Sequence, residues 1–66
     1  MARIDVDRQI ATGRIGGDLW NDTTVAYRAK RLGAVAVTFD YRGTGLWLDC
    51  TLTMADGTTV PARLFG

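Results

Sequence analysis

From Leu46 to Phe65 the chain alternates apolar and polar side chains on both sides of one break, Ala55-Asp56-Gly57. Before the break, Leu46, Leu48, Cys50, Leu52 and Met54 alternate with Trp47, Asp49, Thr51 and Thr53. After it, Val60, Ala62 and Leu64 alternate more weakly with Thr59, Pro61, Arg63 and Phe65. A period of two on both sides of a glycine turn predicts an antiparallel hairpin. A three-residue loop with Gly57 in the left-handed conformation pairs Met54 with Thr58. Leu52, Cys50 and Leu48 then face Val60, Ala62 and Leu64. A two-residue loop would instead set Cys50 opposite Arg63 and Leu52 opposite Pro61. One residue of slip inverts a strand's buried face, so burial selects the three-residue loop.

Residues 34–41 alternate in the same way, with Val35, Val37, Phe39 and Tyr41 on one face. A four-residue loop, Arg42 to Gly45, would pair Tyr41 with Leu46 and Phe39 with Leu48. The expected sheet is thus a three-stranded antiparallel meander of residues 34–41, 46–54 and 58–65. Pro61 lacks a backbone donor, which puts 58–65 at an edge. An open edge invites pairing with another chain.

A short helix, about 22–32, is expected to cover the apolar sheet face. Asn21 or Asp22 can cap its start, Trp20 and Val25 suit a hydrophobic staple, and Gly33 suits its end. Val25, Ala29 and Leu32 share one helix face. Arg28, Lys30 and Arg31 near its end suit the helix dipole. The rival reading is a strand at 23–29. Ile4 and Val6 alternate with Arg3, Asp5 and Asp7, predicting a first strand at about 3–8 or 3–11. Gly13 to Gly17 reads as a flexible connection. The fold class is α+β in a single domain: residues 1–20 form an arm or first strand, and 21–66 the helix and sheet. The alternative is a small all-β barrel.

Sixty-six residues lie near the lower limit for a chain that folds alone. Such domains usually rely on disulfides, a metal or a partner. A single cysteine excludes an intrachain disulfide, and the lack of histidine excludes a Cys/His zinc cluster. Association is the remaining common remedy. Histidine, serine and glutamate are all absent. No Ser–His or Cys–His nucleophile pair can be built, so no enzyme and no cofactor are expected. Eight cations against seven Asp give a net charge of +1, too even for bulk electrostatic binding of nucleic acid. No apolar run is long enough for a membrane span or a signal peptide, and the lone thiol suits a reducing interior. A cytoplasmic chain, or one assembled into a particle inside a cell, is the expectation.

The glycine motifs, Gly13-x-x-Gly16-Gly17 and Gly43-x-Gly45, lack the Lys-Ser/Thr of a phosphate loop and read as turns. Asp5 and Asp7 would share one side of a strand, with Asp18 and Asp22 near the helix start. Without metal-loop spacing, they read as solvated charges and caps. Asp49 opposite Arg63 predicts a cross-strand ion pair. Cys50 reads as an inert buried thiol. The second sheet face is more informative. It carries Trp47 beside Phe65, with Pro61, Arg63 and Ala36 nearby, and one helix cannot cover both faces. This group is the expected protein interface, unless residues 1–20 fold over it in cis or dock in trans. The expected function is a non-enzymatic protein-binding chain. It would act as a homo-oligomer or a small accessory subunit, of the kind a phage or mobile element encodes. The alternative is a nucleic-acid-binding regulator using Arg28, Lys30 and Arg31.

Overall fold

A computed structural model of the chain describes residues 2–13, 20–40 and 45–65. It is an α+β fold in which two helices pack on one side of an open four-stranded antiparallel sheet. The elements run β1 (Ala2–Asp5), α1 (Val6–Thr12), α2 (Asp22–Arg31), β2 (Ala34–Phe39), β3 (Trp47–Met54) and β4 (Thr59–Phe65). The strands lie side by side in chain order, so among the described residues β1 and β4 are the two edges and the sheet stays open.

The β3–β4 hairpin forms in the register that burial selects. Leu52 pairs with Val60, Cys50 with Ala62, Leu48 with Leu64 and Trp47 with Phe65. The turn closes with the Gly57 amide on the Met54 carbonyl (3.0 Å) and the Met54 amide on the Thr58 carbonyl (2.8 Å). Gly57 has φ +88°, a conformation open to glycine at little cost. Asp56 completes the turn, its Oδ1 accepting from the Thr58 amide (3.0 Å) and hydroxyl (2.6 Å).

The β2–β3 pairing departs from expectation. Val37 pairs with Leu52 and Thr38 with Thr51, two residues away from the register of a four-residue loop. The connection is longer, because the strands end at Phe39 and restart at Trp47. Residues 41–44, where Tyr41 and most of the expected loop fall, lie outside the described residues. An even shift preserves the buried face, so Val37 and Phe39 still point to the core. Val35 does not. A register shift between Ala34 and Ala36 sends Ala34 inward opposite Met54 and leaves Val35 exposed.

The first strand is shorter than expected. Chain 2–5 pairs with β2, placing Ile4 on Val37, and the backbone then turns into α1 at Val6. A helix lets Val6 bury and Ile10, one turn on, pack against the same core. Gln9 Nε2 donates to the buried Thr23 Oγ1 across the helix pair (3.2 Å). Gly13 follows α1 in tight contact with α2. A Cβ there would strike Thr23 Oγ1 and Gln9 Nε2 and lie 2.6 Å from the Gln9 carbonyl oxygen. The rest of the glycine-rich connection lies outside the described residues.

Helix α2 forms where the capping signals put it, in place of a strand at 23–29. Asn21 Oδ1 accepts from the Thr24 amide (2.9 Å), and Gly33 (φ +82°) follows its end. Val25, Ala26 and Ala29 are fully buried against Val37, Phe39, Leu48, Leu52 and Leu64. Leu32, expected on that stripe, is half exposed. Trp20 is buried, and its indole Nε1 donates to the Gly45 carbonyl (2.9 Å), fastening the helix start to the β2–β3 connection.

Candidate interaction surface

With both helices on one side, the opposite sheet face has no covering layer among the described residues. Cross-strand pairing arranges it in rows. Phe65 lies opposite Trp47, and Arg63 opposite Asp49. Pro61, Thr51, Thr38 and Arg3 form the next row, and Thr59, Thr53, Ala36 and Asp5 the last. Trp47 and Phe65 remain 49% and 61% exposed. Large side chains directly opposite on an antiparallel pair are in reach of each other, so these two rings make one aromatic end of the face.

Arg63 joins the aromatic end to the polar middle. Its Nε donates to Asp49 Oδ1 at 2.8 Å and its Nη2 lies 3.4 Å from Oδ2. The same guanidinium lies over the Trp47 ring, 5.1 Å from its centroid. A planar, weakly hydrated cation suits both contacts at once. The hydrogen bond from Arg63 holds the Asp49 carboxyl below its ordinary range, and Asp49 raises the guanidinium in return. The second cation of the face, Arg3, pairs with Asp5 (3.5 Å). The described face thus carries equal numbers of paired positive and negative groups.

Ala36 shares this face but is only 1% exposed, between Asp5 and Thr53 on the neighbouring strands. A methyl group in a central strand is overtopped by longer neighbours, so Ala36 is no contact residue. Pro61 and Arg63 are exposed. Cys50 is a buried free thiol on the inner face. Desolvation, and then the charge of Asp49, push its pKa up and away from the reactive thiolate.

Among the described residues the edge beyond β4 is open, and its backbone pattern follows from the turn. Because Met54 and Thr58 form a hydrogen-bonded pair, bonded pairs recur at every second residue along the hairpin. Val60, Ala62 and Leu64 bond to β3. Thr59, Pro61, Arg63 and Phe65 turn their backbone groups to the open side. Pro61 sits where its missing N–H costs the ladder nothing.

The three cations at the end of α2 differ in their surroundings. Lys30 Nζ binds Asp7 Oδ1 at 2.7 Å, tying α2 to α1. Arg28 is half-buried and Arg31 exposed. Asp5 and Asp7, expected side by side on one strand, are separated by the start of α1 and serve different cations. Among the described residues no three His, Cys, Asp or Glu side chains converge on a metal site. No helix among them is long and apolar enough to cross a membrane. Comparison with family models, curated proteins and solved structures finds no match for this chain.

Proposed function

We propose that the chain is a non-enzymatic protein-binding module, working as a homo-oligomer or as a small subunit of a larger assembly. Its contact surface is the aromatic end of the outer sheet face, Trp47 and Phe65 with Arg63 and Pro61, continuous with the β4 edge. The observation that carries this reading is the directly opposed, half-exposed Trp47 and Phe65 on a face without a covering layer among the described residues. Aromatic residues and Arg concentrate in the centres of protein interfaces. The internal pairing of Arg3 with Asp5 and Arg63 with Asp49 supports a protein partner over a polyanion, which needs unpaired cations.

The test is the double substitution Trp47→Ala plus Phe65→Ala, with mass read by light scattering and fold by circular dichroism. The expected result is a native spectrum with the assembly reduced to a monomer. An unchanged assembly with an unchanged spectrum refutes the role of the patch. The lesser reading, nucleic-acid binding by Arg28, Lys30 and Arg31, is weakened by the Lys30–Asp7 pair. It requires DNA or RNA affinity that falls steeply with salt.

A further inference from the structure

We infer that the β4 edge receives the β4 strand of a second copy, antiparallel, with the two-fold axis passing beside Ala62. This rests on the interaction reading above and names its partner and register.

The β4 edge is self-complementary about a two-fold axis. Only residues with outward backbone groups can exchange hydrogen bonds across a new strand pair, and on β4 these are Thr59, Pro61, Arg63 and Phe65. A symmetric antiparallel pairing must place them opposite one another. An axis at Pro61 puts proline against proline, and that pair exchanges no bond. An axis at Arg63 brings the two guanidinium-bearing residues face to face and again spends both prolines opposite donors. With the axis at Ala62, Thr59 and Phe65 of the two copies exchange both bonds at each end. Arg63 donates to the Pro61 carbonyl across the axis, and each proline forfeits one donor. This register keeps the most ladder bonds and sets no like charges directly opposite one another.

The side chains agree with the backbone. The residue on the axis is Ala62, half-buried and small enough for the close approach of a non-hydrogen-bonded pair, whose Cα atoms lie about 4.5 Å apart. Val60, 44% exposed on the inner side, comes opposite Leu64 of the second copy. The inner-facing residues Val60, Ala62 and Leu64 include no charge, one of the devices that keep edges apart, while Pro61, another of them, removes a single donor and leaves the other outward groups of the edge able to pair. The β3–β4 ladder runs without a bulge over its paired length, so nothing bends this edge away. On the outer side Phe65 meets Thr59 of the second copy. The two sheets join into one, and the aromatic ends lie on the same continuous face.

The experiment uses Ala62→Cys and Val60→Cys, each with Cys50→Ala. Removing Cys50 is necessary because it pairs with Ala62 within the chain. Under mild oxidation with diamide, the Ala62→Cys chain is expected to form a disulfide-linked dimer in high yield, since paired Cα atoms fall in the range a disulfide spans. Val60→Cys should not, because its two copies sit four residues out of register, about 14 Å along the strand. In the unsubstituted chain, the amides of Thr59, Arg63 and Phe65 should exchange slowly with solvent and speed up on dilution. A chain monomeric by light scattering, or a dimer that cross-links through residue 60 instead of 62, overturns the inference. Fast exchange at those three amides overturns it too. If such fast exchange accompanies an assembly that Trp47→Ala plus Phe65→Ala dissolves, the outer-face reading stands and only the edge register fails.

Discussion

Gly57 allows the hairpin turn to be tested with a perturbation that touches nothing else. Its φ of +88° is a conformation that L side chains disfavour. A Cβ built there meets no atom within 4 Å. The cost of Gly57→Ala is therefore backbone strain alone, roughly 1–2 kcal/mol for an L-residue held left-handed. Alanine also stiffens the unfolded chain, which returns about 0.4–1 kcal/mol. The net expectation is a loss of about 0–1.6 kcal/mol. D-alanine at the same position, introduced by chemical synthesis, fits the positive φ and keeps the unfolded-state gain, so it should stabilise by about 0.4–1 kcal/mol. The difference between the two isolates the turn geometry, because both share the same unfolded-chain term. In a domain of this size, each kcal/mol moves the melting temperature by roughly 4–8 °C. Urea unfolding followed by circular dichroism, at one protein concentration, measures both. L- and D-alanine variants of equal stability would refute the left-handed turn and, with it, the register built upon it.

Two further outcomes follow from the packing and the charges. Gly13→Ala should cost about 1–3 kcal/mol, because its methyl collides with Thr23 Oγ1, Gln9 Nε2 and the Gln9 carbonyl although φ −83° suits any residue; urea unfolding that finds no loss would contradict the α1–α2 approach. Acid should weaken the β3–β4 hairpin through Asp49 and Asp56, whose carboxyls are held below the ordinary value of 3.8 by Arg63 and by Thr58 respectively. A depressed folded pKa contributes stability that is complete above the unfolded value and lost as pH falls through the folded one. The urea midpoint should therefore decline below about pH 4, and Asp49→Asn with Asp56→Asn should flatten that decline. An identical acid limb in the double variant would show the two contacts to be inconsequential.

The hairpin was legible because two independent signals meet in it: an alternating face and a turn with one glycine in one position. Helix α2 was legible for a similar reason, with Asn21 at one end and Gly33 at the other. The β2–β3 register was not, because alternation is blind to an even shift. Val37 faces the core opposite Leu52 as well as it would opposite Cys50, and only the length of the connection decides. The bulge at Val35 is a local change of parity that leaves no mark in the pattern of residue types. Helix α1 was missed because Val6 satisfies two periods at once. It continues the alternation after Ile4, and it begins an i, i+4 pair with Ile10. Seven residues are too few for either period to win. Tertiary contacts settle the matter, through Lys30 on Asp7 and Gln9 on Thr23, and these join residues far apart in the chain.

The exposure of the aromatic pair is a consequence of the same register that builds the core. Trp47 and Phe65 flank Leu48 and Leu64, which are 1% and 3% exposed and already fill the inner face at that end of the hairpin. Turning the two rings inward requires a one-residue slip of both strands. That slip would bring Asp49 and Arg63 inside with them and put Leu48, Cys50, Leu52 and Leu64 in water. No rearrangement of the hairpin alone can hide the rings. Arg63 offers partial shelter, since Asp49 anchors it and its guanidinium lies over the indole, yet Trp47 stays half exposed beneath it. A further layer of protein on the outer face is what would complete the burial, and that is the physical ground for reading this face as a place of association.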